Sequence, residues 1–162
     1  MYDAEAGSIV APVASTKSAG QLLLIARRAS EPVPFDPREK AMCKAYDEAN
    51  MPKAEYKMIK EYPLAGHPPL MTHVYVNETG KRLIACKGAP EGIIHNAVLP
   101  GQEKQRITEI QLAMAAKGNR VLAVATTDYP AEELPAEQNA FRWKLLGLVA
   151  LSDPPKQNIA SV

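Results

Sequence analysis

Two runs rich in branched and aromatic residues, Met71–Val76 and Arg82–Lys87, stand on either side of Asn77-Glu78-Thr79-Gly80. A short turn closed by a glycine free to take positive φ folds two such runs back on each other as a hairpin. Three further strands are expected at Glu55–Leu64, Arg120–Thr127 and Phe141–Leu151. Hairpins outnumber strand–helix–strand alternation, so the expected class is α+β: a twisted antiparallel sheet with helices packed against it.

The helices announce themselves by spacing and by their ends. One is expected from Lys17 to Ala29, capped by Ser15 or Thr16, with Leu22, Leu23, Ile25 and Ala26 on its buried side. Two prolines make Ser30–Phe35 a loop. Asp36 then reads as an N-cap, Pro37 as the first helical residue and Glu39 as the third position of a capping box. That helix carries Ala41, Met42, Ala45 and Tyr46 inward as far as Ala49. A short helix, Pro90–Asn96, and a longer one, Glu103–Lys117, follow, the second stopped by Gly118. Residues 1–16 are read as a strand fragment and lead-in, 17–152 as one domain, and 153–162 as the chain's exit, where Asp153-Pro154-Pro155 breaks regular structure.

Charge and cysteine usage narrow the function. Nineteen Lys and Arg against eighteen Asp and Glu leave a formal charge of +1. With no broad basic field, a dedicated nucleic-acid binder is disfavoured, and a small anionic ligand must be captured by local groups. Cys43 and Cys86 form no Cys-x-x-Cys pair, so a zinc site is not expected and two buried thiols are the plainer reading. The longest apolar run, Leu145–Leu151, is too short to span a membrane. No secretory signal is visible, and a soluble, cytosolic monomer is expected. His73 and His95 are read as structural and Trp143 as core.

Five segments in order carry a resemblance: Asp36-Pro37-Arg38-Glu39-Lys40-Ala41; Lys60-Glu61-Tyr62-Pro63-Leu64 followed by Met71-Thr72-His73-Val74-Tyr75; Cys86-Lys87-Gly88-Ala89-Pro90-Glu91; Gly118-Asn119-Arg120-Val121-Leu122-Ala123-Val124-Ala125; and Gly147 through Pro155. Together they resemble the nucleotide-binding (N) domain of P-type cation-transporting ATPases, with Lys-Gly-Ala-Pro-Glu unchanged. The resemblance implies ATP or ADP as ligand and Mg2+ held with a neighbouring phosphorylation domain. It also implies contacts with that domain and with an actuator domain, and a place on the cytoplasmic side of a membrane-bound parent. The phosphorylation motif Asp-Lys-Thr-Gly-Thr and the Gly-Asp-Gly-x-Asn-Asp loop do not occur in the chain. The expectation is therefore an excised domain, starting after the phosphorylated aspartate and ending past the hinge, that binds nucleotide without turning it over. The alternative is a stand-alone nucleotide-binding or interaction domain with no pump attached.

The resemblance also assigns residues. Lys87 is expected over the adenine or near phosphate, with Gly88 and Ala89 bringing backbone close to the ligand. Tyr62 and Leu64, two apart on one strand, are expected to face the same way, and one of them to serve as the adenine platform. The family's usual phenylalanine falls on Leu64. His67 is the one polar side chain in Ala65-Gly66-His67-Pro68-Pro69-Leu70, where many relatives place Arg and Lys. Glu39 matches a glutamate that accepts from the adenine amino group, unless it only closes its capping box. Arg120 matches an arginine at the ribose–phosphate end, where its fork suits phosphate. No catalytic or metal-ligating residue is assigned.

Overall fold

Every strand of the sheet pairs antiparallel with its neighbours. A computed structural model describes residues 2–4, 7–10, 19–30, 40, 43–44, 46–47 and 55–152. Its elements are β1 (Tyr2–Ala4), β2 (Gly7–Val10), α1 (Ala19–Arg28), β3 (Lys57–Ala65), β4 (Leu70–Val76) and β5 (Arg82–Gly88). These are followed by α2 (Pro90–His95), α3 (Gly101–Ala116), β6 (Asn119–Thr127), a 3-10 turn Gln138–Ala140 and β7 (Lys144–Ser152). The seven strands lie in the order β1-β2-β7-β6-β5-β4-β3. The lead-in thus extends the sheet, because β2 pairs with β7.

The β4–β5 turn forms as its residues dictate. Asn77 Oδ1 accepts from the Thr79 and Lys81 backbone N–H groups at 3.0 and 2.8 Å, and Gly80 takes φ 83°. Such a side chain closes the turn from within.

Alternation along the strands divides the apolar residues between two faces. Val74, Ile84, Cys86, Ala123, Ala125 and Leu148 pack with Ile93 and Ile94 of α2 and Ile107 and Met114 of α3. Ala85, Val124, Val149 and Leu151 pack with Leu22, Ile25 and Ala26 of α1. The sheet is therefore the middle layer, with α1 on one side and α2 and α3 on the other.

Both cysteines are buried thiols outside any disulfide. Burial pushes the Cys86 thiol up to about 12, opposed in part by a hydrogen bond with Thr72. Trp143 is core, as expected, but it precedes β7. Residues around it pair with the link after α2, through Trp143 N–H to Asn96 O at 3.0 Å and Val98 N–H to Trp143 O at 2.9 Å. The β6–β7 ladder accordingly starts at Lys144, opposite Thr126, with Arg142 O accepting from the Thr127 side chain at 2.6 Å. Of the helix expected after Asp36, the described residues Lys40, Cys43, Lys44, Tyr46 and Asp47 are helical; Asp36, Pro37, Glu39 and the Asp153-Pro154-Pro155 exit lie outside the described residues.

Candidate functional site

A bulge in β3 decides which residues share a face. Tyr62 pairs with Thr72 and Ala65 with Leu70, so Pro63 and Leu64 together stand opposite the single residue Met71. An extra residue of this kind interrupts the alternation. Tyr62 and Leu64 therefore part company, against the expectation from their spacing. Tyr62 is 5% exposed, packed edge-on against Phe141, and donates its hydroxyl to Pro135 O at 2.6 Å. Burial, with a smaller push from Tyr129, holds that hydroxyl above the usual tyrosine range. Leu64 is 61% exposed, in the bulge opposite Met71.

Met71 pairs with Lys87 on β5, and Lys87 with Val124 on β6, where Arg120 lies two alternations further along the same face. The α1 face thus gathers Met71, Lys87 and Arg120 from three neighbouring strands, with exposed Leu64 in the bulge beside Met71. Arg120 is exposed. Lys87 is only 7% exposed, and its Nζ donates to Ser30 Oγ at 3.0 Å. A buried ammonium must be given acceptors to offset lost hydration, and Ser30, just past the end of α1, is one of them.

Gly88 is required for a different reason from the one anticipated. A Cβ there would meet Pro69 O at 2.5 Å and Leu70 Cδ2 at 2.7 Å. The bare backbone lets β5 close on the start of β4, on the face opposite Lys87. Ala89 follows as the residue before α2, its N–H bonded to Pro69 O at 3.0 Å and its carbonyl accepting from Gly92 N–H at 3.1 Å. Together they lock the end of β5, so Lys87 leaves a strand that has no slack.

His67 goes with Tyr62. It is exposed in the β3–β4 turn, and both line a groove of about 720 Å³ on the α2 side, with Glu91, His95 and Gln138 among the other walls. Gln138 staples that side shut, accepting from Thr72 Oγ1 at 2.8 Å and donating to Leu70 O at 2.8 Å. Among the described residues, no cluster of three or more His, Cys, Asp or Glu is placed to hold a metal ion.

His73 is fully buried on the α1 face. Its Nδ1 stands 2.9 Å from Arg28 O, while its Nε2 lies 3.4 Å from Glu61 Oε1 without the angle of a hydrogen bond. Glu61 is its cross-strand neighbour, a carboxylate partner that spacing along the chain does not reveal. Ser30 and Met71 were likewise missed. Ser30 opens a proline-containing stretch of sequence with no motif around it, and Met71 is one apolar residue in an apolar strand. Pairing register alone brings them to Lys87.

Residues 35–158 match the family described as "P-type ATPase, cytoplasmic domain N". A relative named "Calcium-transporting ATPase", from Bacillus subtilis (strain 168), is 30% identical over 139 residues, which is 76% of this chain and 16% of that protein. The chain therefore spans about one sixth of the length of that relative. Among the described residues, no helix is long and apolar enough to cross a membrane. Sheet, signature and matched span agree, and the chain belongs to the P-type ATPase family as its N domain.

Proposed function

We propose that the α1 face binds ATP, and ADP after transfer, and that in a longer protein it presents the γ-phosphate to an aspartate of a neighbouring phosphorylation domain. The observation that carries this reading is the convergence of Met71, Lys87 and Arg120 on one sheet face, with the β3 bulge that holds Leu64 beside Met71. Exposed Leu64 supplies an apolar platform beside Met71, Lys87 an ammonium for the base or the phosphates, and exposed Arg120 a fork for phosphate. Glu39, outside the described residues, joins this proposal through the resemblance alone. Tyr62 and His67 do not, because they belong to the opposite side of the sheet. Positioning is the whole of the contribution: holding the nucleotide against a partner domain turns a bimolecular encounter into an intramolecular one. Mg2+ and the acceptor aspartate would come with the neighbouring domain. Coupling to cation movement across a membrane, and contact with an actuator domain, belong to the same proposal.

Calorimetric titration with ATP tests it. The wild-type chain is expected to bind, and Lys87→Ala to bind about tenfold more weakly, the cost of one charge-assisted contact. Equal affinity in the two proteins refutes the assignment of Lys87.

A further inference from the structure

The last carbonyls of a helix have no partner inside it. At the end of α1, Ile25 O and Arg27 O accept from the backbone N–H groups of Ala29 and Ser30, and side chains take up the other two. Ser30 Oγ donates to Ala26 O at 2.8 Å, Tyr75 donates its hydroxyl to Arg28 O at 2.7 Å, and His73 Nδ1 faces that same oxygen at 2.9 Å. Tyr75 and His73 both come from β4, so the helix end is anchored to the strand that runs beside Lys87.

Ser30 is 1% exposed, and its single proton goes to Ala26. Its lone pairs are left for one group, the Lys87 ammonium at 3.0 Å. Helix capping alone would be satisfied by the first bond. The second places an oxygen where a buried cation needs it, at the end of α1 where the helix dipole is negative.

We infer that Ser30 is a positioning residue for nucleotide binding, holding the Lys87 ammonium at a fixed height and direction on the α1 face. This inference rests on the ATP reading above. A lysine left to itself samples many rotamers and loses that freedom when a ligand arrives. With Ser30 in place much of that ordering is complete before binding, which is preorganisation. The linkage also ties Lys87 to α1, so a displacement of that helix relative to β5 would move the ammonium.

The test is a double-mutant cycle on the 162-residue chain, read by ATP calorimetry, with melting curves to confirm folding. Ser30→Ala is expected to weaken ATP by about threefold to tenfold, the cost of immobilising one long side chain at binding. Ser30→Thr, which keeps the hydroxyl, is expected to restore wild-type affinity. In a Lys87→Ala background Ser30→Ala is expected to change nothing. The Lys87 Cε resonance is expected to move toward that of solvated lysines in Ser30→Ala and to return in Ser30→Thr. If Ser30→Ala does not fold, Ser30→Cys, of similar size but a poor acceptor, carries the same expectations. Wild-type binding with unchanged affinity in Ser30→Ala overturns the role of Ser30 and leaves the ATP reading intact. An equal loss in the Lys87→Ala background shows a merely structural effect and overturns it too. Failure of the wild type to bind ATP overturns the ATP reading, and this inference with it.

Discussion

Leu64→Phe should tighten nucleotide binding, and its size can be worked from the β3 bulge. Leu64 is 61% exposed in the bulge opposite Met71, so on the proposed site a ring placed there meets the ligand rather than the core. Base–aromatic stacking supplies about 1–3 kcal/mol. Leucine already supplies part of that by apolar contact, so the gain is about 1 kcal/mol, roughly fivefold in Kd. The substituted side chain lies mostly in water, so stability should change by no more than about 0.5 kcal/mol. Calorimetry with ATP and with adenosine reads the gain, which should appear for both because the base makes the contact. Thermal melting reads the stability. Unchanged or weaker binding would refute the placement of Leu64 against the base. A fall of several degrees in Tm would refute the bulge itself, since it would mean the ring had been forced into packed surroundings.

Other outcomes follow from the same geometry. Tyr62→Phe removes the hydroxyl bonded to Pro135 O at 2.6 Å and should cost about 1 kcal/mol in chemical denaturation, with ATP affinity unchanged. A clear loss of affinity would put Tyr62 back on the ligand side. Arg82 donates to Tyr129 O at 3.0 Å, Ala131 O at 2.5 Å and Glu132 O at 2.8 Å. Arg82→Ala should cost about 2 kcal/mol and expose the loop before the 3-10 turn to protease; an unchanged cleavage rate would contradict it. Cys86, raised from 9.0 to about 12 by burial, is neutral in the fold where an unfolded chain would ionise it. Its contribution is whole below the unfolded value and lost as pH rises toward the folded one, by up to about 1.4 kcal/mol per unit. Cys86→Ala should therefore flatten the decline in stability above pH 9, and an identical pH profile in the two proteins would contradict the burial argument.

The fold was largely legible because its signals are local. Gly80 turned β4 into β5, the apolar spacing of Ile107 and Met114 marked α3, and Gly118 ended it. The site was legible only as a set of residues, not as an arrangement. Which face a side chain takes depends on register, and one extra residue at Pro63–Leu64 separated Tyr62 from Leu64. Spacing along a strand cannot report such a bulge, which is fixed by pairing with β4. Gly88 was singled out for its missing side chain, and spacing could not report that a Cβ there would meet the Pro69 carbonyl of the β3–β4 turn. Ser30 and the Glu61–His73 pair belong to long-range contacts and leave no periodic trace. Phe141 and Trp143 were expected in the last strand, yet Trp143 bonds to the link after α2 and Phe141 packs among Tyr62, Tyr129 and Trp143.

Amide and methyl shift mapping during ATP titration tests the division of the sheet most directly. The account predicts perturbations at Leu64, Met71, Lys87, Arg120 and Ser30, with Tyr62, His67, His95 and Gln138 unmoved. Shifts gathered instead around Tyr62, His67 and Gln138, with Lys87 and Arg120 silent, would place the ligand in the groove beside α2 and contradict it.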